Sequence, residues 1–236
     1  MSAGDALGRV RGRIAAACAA CGRDPASVRL VAVSKTAAAA AIRRFAAAGQ
    51  PAFAENRAQD YRDKQGALAD LGLEWHFIGS IQTNKIKYFY KTAALVHSVD
   101  RRELIEAFAA WGRKSGRCCP FLLEVHISDE ASKHGFAPGE VLGEVRALAG
   151  RDDLDCRGLM GMAPFVDDPA VVRAAFAKLG ALFRASREVS GPGYRAQELS
   201  MGMSDDFPLA IAEGATLVRI GRALFAAEDA PEGDGR

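Results

Sequence analysis

RLVAVSK, residues 29 to 35, is an apolar run rich in β-branched side chains that stops on a lysine. A segment of this length and composition reads as a buried strand. Working outward, the same signature returns in PAFAEN (51 to 56), EWHFIGS (74 to 80), ALVHSVD (94 to 100), PFLLEVHIS (120 to 128), CRGLMGMA (156 to 163), ELSMGM (198 to 203) and TLVRIGRALF (216 to 225). Amphipathic helical patterns lie between them, near 36–48, 57–70, 84–91, 101–115, 138–149, 168–190 and 205–213, with a further helix before the first strand. Alternation of this kind implies parallel strands joined by right-handed crossovers. Eight such units in 236 residues predict an α/β fold, a (β/α)8 TIM barrel at the small end of its size range. An open doubly wound sheet is the alternative. Against it, SKTAAAA follows the first strand where a dinucleotide fingerprint would place GxGxxG, and neither GxxxxGKS nor GxxxxGKT occurs.

About half of the chain is apolar, enough for one core but cramped for two. Residues 1–225 are therefore expected to form a single barrel domain, and AAEDAPEGDGR, residues 226–236, a disordered tail. Thirty-one Lys and Arg stand against twenty-nine Asp and Glu, with no long block of either sign, so neither nucleic acid nor a membrane surface is an expected partner. The start carries Arg9, Arg11 and Arg13 through an alanine-rich helical pattern that reads as neither a span nor a signal peptide. Asp5 counts against a transit peptide. Five cysteines, an odd number, suit reduced thiols in the cytoplasm, and no His or Cys spacing suggests a metal. Asp100 with Glu103 reads as a capping box, and Pro138 and Pro169 as first-turn prolines.

Lys35 ends the first strand, and barrels assemble their sites at the carboxyl ends of strands. A lone strand-end lysine is more often a solvated cap. The far end of the chain changes that balance. LSMGMSDDF follows the seventh strand with Ser200 and Gly202, and VRIGRALF puts Gly221 at the end of the eighth. Loops after strands seven and eight are where barrels cradle phosphate on backbone N–H groups, although two tight turns would need the same glycines. A lysine and a phosphate cradle on one face point to a phosphorylated aldehyde. Pyridoxal 5′-phosphate (PLP) is the common one, and phosphosugar Schiff-base aldolases use the same parts.

The blocks LVAVSKT, FAEN followed by Gln59, WHFIGSIQTNKIK, VHSVD, SKHGF, GLMGMAP, and LSMGMSDDF with AIAEGATLVRIGRALF run in this order through nearly the whole chain. In that order and spacing the chain resembles the YggS/PROSC family of PLP-homeostasis proteins, whose barrel is that of the alanine racemase N-terminal domain. The resemblance implies PLP as a Schiff base on Lys35, its phosphate held around Ser200, Met201 and Gly202 and by the backbone of Gly221 and Arg222, with Asn56 near the cofactor. It also implies Arg219 facing the pyridine nitrogen, and residues 219 and 221 share strand parity. A guanidinium there disfavours a proton on the ring and weakens it as an electron sink.

Racemisation needs a second acid/base group, which alanine racemase draws from a tyrosine of a separate C-terminal domain. The chain is expected to end with the barrel, and Tyr61, Tyr88, Tyr90 and Tyr194 match no such motif. The resemblance therefore implies a non-catalytic, monomeric, cytoplasmic PLP carrier with apo-PLP enzymes as recipients, and an amino-acid racemase is the alternative. His76, read as inward-facing, and Lys133 carry no assignable role. Ala54, Arg57 and Ser80 depart from the family's glycine, tyrosine and histidine. Arg222 replaces a small residue, and it either reaches the phosphate as a cation or crowds the rim.

Overall fold

Side chains two apart on a strand share a face, and in this chain both faces find partners. The computed structural model describes residues 2–128 and 134–226. Its strands are β1 (Arg29–Val33), β2 (Ala52–Glu55), β3 (Glu74–Phe77), β4 (Leu95–Val99), β5 (Pro120–Val125), β6 (Asp155–Gly161), β7 (Tyr194–Ser200) and β8 (Leu217–Ile220). They pair in chain order, all parallel, and β8 returns to β1 to close the barrel. The helices are α1 (Ala3–Ala20), α2 (Ala39–Ala47), α3 (Ala58–Ala67), α4 (Arg102–Ser115), α5 (Val141–Ala149), α6 (Pro169–Ser186), α7 (Phe207–Ala212) and α8 (Arg222–Phe225).

Outward-facing strand residues are large and meet the helices. Phe77 of β3 lies edge-on to Tyr61 of α3, and Phe121 of β5 edge-on to Phe108 of α4, an arrangement favoured by ring quadrupoles. Inward-facing residues are smaller. Val31, Val33, Ala52, Ala54, Leu95, Leu122, Met160 and Leu217 form a separate buried cluster in the lumen, which is a packed core rather than a pore.

Several boundaries differ from the sequence expectation. The seventh strand begins at Tyr194, with Tyr194 buried and its hydroxyl donating to Ser186 at 2.6 Å. The eighth ends at Ile220, and RALF turns into α8, packing Phe225 on Phe45 at 4.7 Å between centroids. The stretch near 84–91 is a 3-10 segment, Thr83–Tyr88. Asp100 does not cap α4. Arg101 is the N-cap residue, and the buried Asp100 carboxylate accepts from Arg101 Nη1 at 2.6 Å instead. Pro138 precedes α5 in a turn, whereas Pro169 does occupy the first turn of α6, where Asp168 accepts from the Ala170 amide. Lys133 and residues 227–236 lie outside the described residues.

Gly79 shows how tightly the mouth is built. A Cβ there would sit 1.9 Å from the Asn56 carbonyl oxygen, so the loops after β2 and β3 touch only because the side chain is missing. Gly79→Ala is expected to cost about 3 kcal/mol in urea unfolding, since backbone has to move to make room. Unchanged stability would show that the two loops part easily.

Candidate functional site

Lys35 continues the lumen-facing series Arg29, Val31, Val33, and so leaves β1 toward the barrel mouth. Asn56 continues Ala52 and Ala54 in the same way, and Gly221 continues Leu217 and Arg219. Strand pairing sets Val31 opposite Arg219. Lys35, Asn56, Arg219, Gly221 and Arg222 accordingly line one cavity of about 680 Å³ at the carboxyl ends of the strands. Its outer rim is apolar, with Met162, Phe165, Val166 and Met203 all exposed.

Ser200, Met201 and Gly202 are not among the lining residues. Ser200 is fully buried with its hydroxyl in the lumen, and Met201 is packed in the outer core. Gly202, at φ +94°, is wedged under Phe207 and Ala210. The loop reaches the cavity just beyond, at Met203 and Ser204, and the Ser204 hydroxyl accepts from the Ala223 amide at 3.4 Å. Among the described residues, the Ser204 and Gly221 amides donate no hydrogen bond. The motif contained this serine, in SDDF. Arg222 is exposed and pairs with Asp205 across the rim.

Below the cavity a polar string runs down the lumen. Arg219 is almost wholly buried. It donates from Nη1 to Ser200 Oγ at 2.6 Å and from Nη2 to the Gly161 carbonyl at 3.3 Å. Ser200 Oγ lies 2.8 Å from His97 Nδ1, and His97 Nε2 lies 2.8 Å from His76 Nδ1. Arginine only donates, and the Ser200 hydroxyl has no acceptor but His97 among the described residues, so the protons follow in turn. Ser200 accepts from Arg219 and donates to His97 Nδ1, so His97 carries its proton on Nε2 and donates to His76 Nδ1. His76 then bears its proton on Nε2, which has no partner, because Glu74 Oε2 is 4.0 Å away. His76 is thus inward-facing, as its strand position predicts, but only half satisfied. Glu74 and Glu198 meet Arg29 at the lumen floor, at 3.5 and 2.8 Å.

Burial shapes the protonation of this string. Desolvation holds His97 well below the ordinary histidine value and lowers His76 as well. It also lowers Arg219 to about 10, against the opposing pull of Glu124 and Asp206. Both histidines are therefore neutral near pH 7. Among the described residues no tyrosine borders the cavity: the Tyr61 hydroxyl is 3.2 Å from the Thr92 hydroxyl, Tyr90 donates to the Phe108 carbonyl, and Tyr88 is held among cations.

Comparison with known proteins places this geometry. Residues 7–229 match the family described as alanine racemase, N-terminal domain. A Pseudomonas aeruginosa protein named pyridoxal phosphate homeostasis protein is 43% identical over 223 residues, 94% of each chain. An unknown protein from Bifidobacterium adolescentis superposes with TM-score 0.90 at 35% identity, covering 94% of each chain. PipY of Synechococcus elongatus, solved with PLP bound, superposes with TM-score 0.77 at 38% identity, covering 90% of this chain and 99% of its own.

Replacing His97 tests the string. His97→Leu leaves His76 Nδ1 without a donor and the Ser200 proton without an acceptor, and is expected to cost about 3 kcal/mol. The pH dependence carries the sign. A histidine held neutral in the fold binds its proton only when unfolded, so its stabilisation is complete above the ordinary value of 6.5 and is lost as pH falls below it. Unfolding free energy of the wild type should therefore drop more steeply than that of His97→Leu between about pH 6.5 and 5. Equal slopes would mean that His97 is not held neutral.

Proposed function

The chain belongs to the alanine racemase N-terminal domain family, and from that premise we propose that it binds PLP in the mouth cavity through Lys35 and serves intracellular PLP homeostasis as a carrier. One observation carries the reading: a lysine amine and a buried guanidinium border the same cavity beside two backbone N–H groups with no partner among the described residues. PLP, when bound, supplies an aldehyde that condenses reversibly with a primary amine and a phosphate that anchors it. The cavity has the size usual for a cofactor site, about 300 to 1,000 Å³. The P. aeruginosa relative's name and the PLP in PipY support the same ligand.

In this reading Lys35 is the amine. The Ser204 and Gly221 amides and the Ser204 hydroxyl hold the phosphate, with Asn56 at the cofactor's edge. Met201 and Gly202 shape the loop from behind, and Ser200 acts through Arg219 rather than on the phosphate. Arg219 presents a charge fixed from below, which opposes a proton on a ring nitrogen and keeps the ring a weak electron sink. The Arg222 side chain, turned aside by Asp205, neither anchors the phosphate nor crowds it, while its amide stays beside that of Gly221 at the phosphate.

An amino-acid racemase is the second reading. It needs an acid/base group facing the lysine, and no tyrosine of the described cavity lining takes that place. The carrier works as a monomer, passes PLP to apo-enzymes, and has no nucleic-acid or membrane partner. Among the described residues no helix is long and apolar enough to cross a membrane. Its five cysteines are free thiols, which supports a reducing, cytoplasmic setting.

Borohydride treatment of the PLP-loaded protein followed by peptide mapping should find a pyridoxyl group on Lys35, and Lys35→Ala should lose both the adduct and the visible absorbance. A mapped adduct on another lysine, or interconversion of D- and L-alanine at enzyme-like rates, would overturn this reading. Arg222→Ala should change PLP affinity by no more than roughly threefold, as expected for an exposed ion pair at a rim. A loss of roughly a hundredfold in a spectroscopic titration would make Arg222 a phosphate ligand after all.

A further inference from the structure

A second, smaller cavity of about 140 Å³ lies at the end of β5, sharing Met162 with the first. It is built by backbone: the Phe136 amide donates to the Glu124 carbonyl at 2.8 Å and the His126 amide to the Phe136 carbonyl at 3.0 Å, which lays the returning segment against β5. Gly135, at φ +124°, permits this, since a Cβ there would meet the His126 nitrogen at 2.8 Å. Glu124, His126 and Ser128 border the cavity, and the buried His126 Nε2 and Ser128 Oγ have no hydrogen-bond partner among the described residues. Ser128 is only 7% exposed and Glu124 8%. Buried polar atoms of native folds are normally satisfied, so two without partners beside a buried carboxyl at one cavity point to a ligand that satisfies them.

We propose that this cavity is a binding subsite for a small primary ammonium group. An ammonium carries three N–H donors, and the Glu124 carboxylate, the Ser128 hydroxyl and His126 Nε2 offer three acceptors when His126 holds its proton on Nδ1. The charge agrees. Glu124 and the buried Asp100 repel an anion, and the described residues contain no cluster of three His, Cys, Asp or Glu able to hold a metal. Burial and then Asp100, at the end of β4, push the Glu124 carboxyl up to about 7, while Arg219 of β8 pulls it down. Among the described residues, His126 and His134 are the other ionisable groups bordering the cavity. A cation bound there draws that proton off, so binding tightens as pH rises through about 7 and releases protons.

The proposal stands on this cavity alone, independently of the cofactor. It is tested by calorimetric titration of methylammonium into the full chain, once freed of PLP and once with PLP fixed by borohydride so that no imine can exchange. Both forms should bind, with proton release near pH 7. Tetramethylammonium, which has the charge without the donors, should not bind. Glu124→Gln should weaken methylammonium by roughly tenfold or more and abolish the proton release, and Ser128→Ala should weaken it by roughly threefold. Circular dichroism identifies a variant that fails to fold; should Glu124→Gln be one, Ser128→Ala and the wild-type pH dependence decide. Absence of binding heat, equal binding of tetramethylammonium, or indifference to both substitutions would overturn the proposal and leave water as the occupant. Binding confined to unreduced, PLP-loaded protein would overturn it too, because that is exchange at Lys35. If PLP itself does not load, the PLP-free titration still decides.

Discussion

A guanidinium can only donate hydrogen bonds, and one shut inside a closed sheet has to be answered from within. Arg219 meets this constraint in a single direction. Its donors go down to Ser200 and sideways to Gly161, while the carboxyls of Glu124 and Asp206 supply opposing charge without touching it. Every proton below then has one position, through Ser200 and His97 to His76. The orientation of two neutral histidines on β3 and β4 is thus dictated by a cation on β8.

That arrangement divides the lumen. Valine, alanine, leucine and methionine fill one part by volume, and the string on β3, β4, β7 and β8 fills the rest by direction. An apolar lumen would be more forgiving, since buried ion-bearing groups rarely add net stability over well-packed apolar ones. What the polar part adds is a charge at the floor of the mouth cavity that is already oriented before any ligand arrives. Such preorganisation is where a barrel spends stability on a site.

Strand order and barrel closure were legible because parity and length are local properties. RLVAVSK shows its lumen-facing series and the lysine that ends it without reference to any other segment. Lys35, Asn56, Arg219, Gly221 and Arg222 followed from parity or from the motifs and do share one cavity. What stayed hidden depends on closure. Ser200 and His97 are 103 residues apart and meet only when β4 faces β7 across the lumen. Ser200 therefore read as a strand-end residue on the phosphate side rather than as part of the floor. Asp100 looked like a cap because Glu103 follows at capping spacing, yet its carboxylate is taken by Arg101. The unsatisfied groups just after β5, on His126 and Ser128, leave no trace in sequence, because an orphaned atom is defined by what is missing around it.

At the amino ends of the strands, Arg29 clasps Glu74 and Glu198 beneath a filled lumen. The vestibule above is consequently a cul-de-sac. Whatever enters past Phe165 and Met203 must leave by the same doorway, so nothing can be expelled from behind and arrival and departure compete for one passage.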